Sequence, residues 1–233
     1  MRIFLFPRFL SICALAALIV AMSSATLAAQ NTKGLRLQEN FSPGSLDQLE
    51  MPFPEDWEIL KDGELPYLHM LRPRDPGVPR RPLQFARLKG VRVGSFTLDV
   101  KVRRERRSMI VVFGYVDTLH FYYAHLSGDT GAKVAVHNGI FIVDGAERRR
   151  IAGLTAPPAL PDQSWHDVRI VRDVASGSIQ VFVDEQKTPL FSVVDHTFPC
   201  GQIGLGSFDE TGDFARLRLR ASRARCTSTE NSK

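Results

Sequence analysis

Apolar and polar residues alternate with a period of two through most of the chain beyond residue 94, and that alternation predicts strands. In SFTLDVKVR, Phe96, Leu98, Val100 and Val102 fall on one face, and Thr97, Asp99, Lys101 and Arg103 on the other. MIVVFGYV and HFYYAHLS follow, joined at Asp117-Thr118. In the second of these, Phe121, Tyr123 and His125 share one face, with His120, Tyr122 and Ala124 on the opposite one. KVAVH and IFIVDG are expected to form a hairpin about Asn138-Gly139, a dipeptide suited to the φ > 0 turns that join paired strands. The proline-rich TAPPALPDQS reads as a loop. WHDVRIVRD, SIQVFVDE, PLFSVVD, GQIGLGSF and ARLRLRA then complete a series of strands about 8–12 residues apart.

Ahead of this region, GLRLQENF reads as a first strand. A loop follows over 42–56, with a turn of helix around Leu46 to Leu49, and WEILKDGELPYLHML forms two short strands about Asp62-Gly63. RPRDPGVPRRP holds too much proline for a central strand and reads as a long loop. No segment after residue 29 sustains a 3.6-residue apolar period, so helix content should be low. Evenly spaced strands without intervening helices predict an all-β, two-sheet antiparallel sandwich or barrel.

Composition adds the compartment. Residues 1–29 have the form of a secretory signal: Arg2 and Arg8, a short apolar core from Leu10 to Met22, and small residues leading to a cut near Ala28 or Ala29. A secreted or periplasmic domain over 30–226, with a disordered tail over 227–233, is the expected organisation. The apolar core is too short for a membrane span, so no stable membrane insertion is expected once the signal is removed. Removing it lowers Lys+Arg from 30 to 28 against 25 Asp+Glu, a net charge near +3. The surplus is spread along the chain, where a nucleic-acid binder would concentrate it on one face. Its densest clusters, RRERR at 103–107 and RRR at 148–150, read as strand ends that also discourage edge pairing. The second could alternatively pair with an anionic sugar or a phosphate. Two cysteines remain, Cys200 and Cys226, and an even pair in an oxidising compartment is expected to form one disulfide across the last hairpin.

Taken in order, WEILKDGEL, GSFTLDVKVR, VVFGYVDTLHFYYAHL, WHDVRIVRD with SIQVFVDE, and GQIGLGSF…FARLRLRA resemble the concanavalin A-like, laminin-G-type jelly roll over residues 35–221. The chain is also similar to bacterial 3-keto-disaccharide hydrolase domains on that sandwich. The resemblance implies work on carbohydrate or a glycan-bearing partner, though fold alone does not set activity. A retaining glucanase needs two carboxylates about 5 Å apart; its relatives carry them as E-x-D-x-x-E on one strand, and this sequence has no such motif. A non-catalytic binding module is therefore the expected function. A hydrolase using His125, His137 and Asp117 is one alternative, and a laminin-G-like protein-interaction module is another.

Aromatic rings stack on sugar faces while polar side chains take the hydroxyls. On that chemistry, Arg103, Tyr115, Tyr123, His125, His137 and Asn138 are the candidate ligand-binding residues, displayed on one concave, open sheet. The competing reading makes Phe121 and Tyr123 core residues and His125 a satisfied, half-buried histidine. Trp165 is expected as a core anchor. FDETGDF places Asp209, Glu210 and Asp213 in one turn, either a Ca2+ site or a solvated acidic turn.

Overall fold

In the computed structural model the structure describes residues 34–222. The expected signal segment, the expected tail and Cys226 lie outside the described residues. Among the described residues the order is β1 (Leu35–Glu39), β2 (Leu49–Glu50), β3 (Trp57–Asp62), β4 (Leu65–Met70), β5 (Gln84–Val93), β6 (Phe96–Arg104), β7 (Ser108–Asp117), β8 (His120–Ser127), α1 (Val134–His137), β9 (Gly139–Asp144), β10 (Arg149–Ala152), β11 (His166–Asp173), β12 (Ser178–Val183), β13 (Phe191–Val194), β14 (Gly201–Ser207) and β15 (Gly212–Ala221). No helix among them is long and apolar enough to cross a membrane.

The strands form two antiparallel sheets. One has eight strands in the order β13-β12-β11-β6-β15-β4-β3, with β1 also paired to β15; the other has seven, in the order β10-β9-β8-β7-β14-β5-β2. Between them lies a core that includes Leu98, Val100, Val102, Val111, Phe113, Tyr122, Ile142, Ile170 and Leu219. Burial follows the period-two pattern strictly in β6, where Phe96, Leu98, Val100 and Val102 are buried and their neighbours only partly so. That alternation makes one face of the strand a wall of the core and hands the other to different chemistry.

The last strand shows how a local irregularity positions side chains. Arg216 adopts φ 50°, and the pairing of β15 with β6 shifts register between Ala215 and Arg218. The extra residue keeps both Phe214 and Leu217 in the core although they are three positions apart. It also leaves Asp213 on the outer face of the eight-stranded sheet.

The Asp62-Gly63 turn forms as expected between β3 and β4, with Gly63 at φ 55°. Two local expectations fail. Residues 134–137 are a helical turn, closed by the Asn138 N–H donating to the Val134 carbonyl, so KVAVH is not a strand and Asn138-Gly139 is not a hairpin turn. The segment links β8 to β9 without a strand beside it, and Val136 is exposed, so its alternation has no sheet to satisfy. Gly139 is required for another reason: a Cβ there would stand 2.1 Å from the Ala152 carbonyl oxygen of β10. β5 and β10 carry no strong alternation and were not expected. Exposed Lys89 and Gly90 break the burial pattern of β5, and β10 is a four-residue edge strand beside β9.

Candidate functional site

The outer face of the seven-stranded sheet holds the aromatic block expected to greet a ligand. Phe85, Tyr115, Phe121, Tyr123, Phe141 and Phe208 form a second apolar cluster there, with Ile110, Val112 and Val143. Tyr123 stacks on Phe141 at 5.2 Å between centroids, and His125 stacks on Phe208 at 5.8 Å. The face is closed. Tyr123 and His125 are 0% exposed and Tyr115 6%, so the expected open, hollow side is absent on this sheet.

The cover comes from residues 71–83 and the β9–β10 connection. Asp56, fully buried, accepts from Arg74 Nε at 2.6 Å and Gln84 Nε2 at 2.8 Å, and Gln84 Nε2 also donates to the Arg72 carbonyl. Arg81 Nε donates to the Thr118 carbonyl, and the Arg148 N–H donates to the Arg80 carbonyl. Proline-rich backbone thus takes the place that a ligand was expected to occupy.

His125 is held neutral by this setting. Burial pushes its pKa well below the ordinary histidine value, reinforced by Arg148, His137, Arg107 and Arg80. Arg148 Nη1 donates to its Nδ1 at 3.4 Å, so its proton sits on Nε2, which donates to Ser108 Oγ at 2.9 Å. Burial also raises the Tyr123 hydroxyl pKa, and that oxygen accepts from Arg148 Nη1 at 3.1 Å.

Of the other expected residues, His137 joins His125 at 5.7 Å between ring centroids and bonds Asp129 Oδ2 at 2.5 Å. Asn138 is a buried staple: its Oδ1 accepts from the Ser127 and Ala159 N–H groups, and its Nδ2 donates to the Pro157 carbonyl. Asp117 bonds its neighbour His120 and does not join His125 and His137. Arg103 is on the other sheet.

There, cross-strand register assembles a row that the sequence alone did not reveal. Glu58 of β3 lies opposite His69 of β4, His69 opposite Asp213 of β15, and Asp213 opposite Arg103 of β6. Trp165 precedes β11 beside Arg103, since His166 pairs with Val102. His69 Nδ1 donates to Asp213 Oδ1 at 2.7 Å and Arg103 Nε to Asp213 Oδ2 at 2.6 Å; Arg103 Nη1 reaches Asp62 at 2.9 Å. The Arg103 guanidinium lies 4.4 Å over Trp165 and 5.1 Å over Tyr67, and the two rings meet edge to face at 5.6 Å. Trp165 is therefore half-buried on this outer face and not in the core, because it stands at a position whose side chain points away from the opposing sheet.

Asp213 is only 2% exposed, yet its row opens onto a cleft of about 420 Å³ lined by Arg103, Arg104, Glu105, Gln163 and Asp213. A neighbouring cleft of about 390 Å³ is lined by Arg104, Arg106, Arg107, Gly128, Asp129 and Glu210. The hydrogen bond to Asp213 raises the His69 pKa against partial burial. Asp209, Glu210 and Asp213 do not share one turn: Asp213 lies in β15 on one sheet's outer face, while Glu210 faces Arg107. Among the described residues, the one group of three metal-capable side chains is His69, Glu105 and Asp213, with ligand atoms within 4.8 Å of one another. A cation there competes with Arg103 for Asp213.

Comparison with solved structures bears on the fold alone. The chain superposes on the carbohydrate-binding module CBM66 from Bacillus subtilis with a TM-score of 0.54 at 14% identity, covering 75% of this chain and 96% of that one. A protein with a galectin-like fold from Bacillus subtilis gives 0.51 at 10% identity, covering 82% and 98%. The fold is the concanavalin A-like jelly roll. A candidate glycosyl hydrolase from Parabacteroides distasonis gives 0.50 at 17%, covering 79% and 99%. No protein-family model and no curated protein matches the sequence. At these identities the jelly roll is an architectural statement, and the site must speak for its own chemistry.

Proposed function

We propose that this jelly roll is an exported, non-catalytic carbohydrate-binding domain, and that its ligand sits over Arg103, Asp213, His69 and Trp165 on the outer face of the eight-stranded sheet. The observation that carries the reading is the row itself, in which guanidinium, carboxylate and imidazole stand beside an aromatic wall at the mouth of a polar cleft. Sugar hydroxyls both donate and accept, so alternating donors and acceptors suit them, while the half-buried Trp165 ring, backed by the buried Tyr67, offers apolar surface to the C–H groups. Most small-molecule pockets are apolar; a cleft walled by arginine, glutamate and glutamine favours a hydroxyl-rich ligand. Carbohydrate binding in the CBM66 neighbour's name agrees with this.

A glycan array probed with the purified protein tests the reading. Binding that is weakened by Trp165→Ala and by Arg103→Ala, with the circular dichroism spectrum of the folded sandwich retained, supports it. A folded protein that binds no neutral or acidic glycan overturns it.

One observation favours a hydrolase instead: the His69–Asp213 pair, with the Glu105 carboxylate inside the same 4.8 Å group. A carboxylate that orients an imidazole is a familiar general-base arrangement. Turnover of a 3-keto-glycoside that disappears in His69→Ala, assayed with and without EDTA, decides for catalysis.

A further inference from the structure

The cover over the seven-stranded sheet has a charge imbalance. Arg80 and Arg148 both lie over the Phe208 ring, their guanidinium carbons 4.8 and 4.3 Å from its centroid. Arg148 and Arg150 in turn lie over Phe141, at 4.8 and 5.9 Å. Three cations are thus gathered on two buried rings. Among the described residues none of the three has a carboxylate within 4.0 Å.

Two of the acids nearby are committed elsewhere. Asp129 pairs with His137 and Arg107, and Glu210 with Arg107. Asp209, next in the chain to Phe208, acts electrostatically on the Tyr123 hydroxyl that Arg148 bonds, but forms no ion pair within 4.0 Å with the three arginines. The like charges are felt locally: Arg148 lowers the pKa of Arg150, after burial, and contributes to holding His125 neutral. A ring face offsets part of a cation's lost hydration but supplies no counter-charge. Guanidinium groups held in place without a carboxylate have the donor geometry that an oxyanion needs.

We propose that Arg80, Arg148 and Arg150 form a binding site for an oxyanion carried by a glycan, either the carboxylate of a uronic acid or a sulfate ester. The site is separate from the row around Asp213. It rests on the carbohydrate reading for the carrier of the anion and stands on its own for the anion itself.

The test titrates the purified protein with an oligogalacturonate, a sulfated oligosaccharide, a neutral oligosaccharide of matching length, and sodium sulfate. At low salt, where exposed charges are least screened, an acidic oligosaccharide is expected to bind at least about tenfold more tightly than the neutral one. Whichever of the two acidic probes binds more tightly names the source of the anion. Arg80→Gln, on the exposed arm of the site, and Arg150→Gln should each erode the preference, while Trp165→Ala leaves it intact. Arg148→Lys keeps the charge but not the fork, and should weaken the preference without unfolding the domain. Sulfate competing as well as the sugar supports the site and places its affinity in the anion. If no glycan binds but sulfate does, and Arg80→Gln abolishes it, the carbohydrate reading fails and the oxyanion site stands. A wild-type protein without preference for any anion, or folded Arg80→Gln and Arg150→Gln variants that keep the full preference, overturns the proposal.

Discussion

The two outer faces of this sandwich are built by the same alternation and end in opposite states. On the seven-stranded sheet, outward positions are Ile110, Val112, Tyr115, Phe121, Tyr123 and Phe141, and they are buried under a proline- and arginine-rich loop. On the eight-stranded sheet, outward positions are Asp99, Lys101, Arg103, Asp167, Arg169 and Asp213, tied into cross-strand ion pairs. A large apolar face left in water is costly, so the first face acquires a cover. A face of paired charges tolerates water and remains available. The aromatic face that looks like a sugar platform is therefore structural, and the charged face holds the cleft.

The comparison breaks most sharply at Phe121. Phe121→Ala empties a fully buried position in the outer cluster and should cost about 3–5 kcal/mol of stability, read as a lower urea midpoint at unchanged slope. A cost below about 1 kcal/mol would mean that the covered face is loosely held, and would reopen it as a ligand surface.

Trp165→Ala probes the other face. It should lower glycan affinity by about 1–3 kcal/mol, the range of a lost stacking and anchoring aromatic, with a smaller loss of folding stability. Calorimetric titration beside denaturant unfolding separates the two effects. Equal loss of both would make Trp165 a structural anchor after all.

Two histidines set the faces against each other in pH. The pKa of His69 is raised in the folded state by Asp213, so its contribution is complete below the unfolded value near 6.5 and is lost as pH climbs through the folded value. The pKa of His125 is depressed by burial, so its contribution is present above about 6.5 and is lost as pH falls below it. For one proton the slope cannot exceed about 1.4 kcal/mol per pH unit. His125→Gln should flatten the acid limb of a stability–pH curve and His69→Gln the limb above 6.5. The same limb responding to both variants would refute the assignment.

The smallest effect is expected at Lys101, whose ammonium meets the exposed Asp167 carboxylate at 2.9 Å. Lys101→Ala should cost below about 1 kcal/mol and vanish in high salt. A larger, salt-resistant loss would show that the ladder acts as one network.

Much of the fold was legible because its signals are local. The inward face of β6 follows directly from alternation, and Gly63 marks the first hairpin. The sharing of one face by Phe121, Tyr123 and His125 is equally direct. What failed was local signal without a tertiary partner. KVAVH alternates, but no strand lies beside it, so it coils into a helical turn. β5 lacks alternation, yet pairs because β14 and β2 present their edges to it.

Of the candidate residues, His125, His137 and Tyr123 do assemble, but under a cover, through a helical turn in place of the expected hairpin and without Asp117. Asn138 spends its amide on backbone, and Arg103 belongs to a different constellation, with His69 and Asp213. No spacing rule could have found that one, since His69 and Asp213 are 144 residues apart, and Arg103 and Asp213 110.

Period-two patterning is a property of neighbours along the chain, so the amino-acid order alone determined that this protein is an antiparallel sandwich and which side chains share a face. Which face would be sealed, and which acid, base and cation would meet, depended on strand register and on where a distant loop comes to rest. Those are set by packing and hydrogen bonding between segments far apart in sequence, and only the tertiary structure decided them.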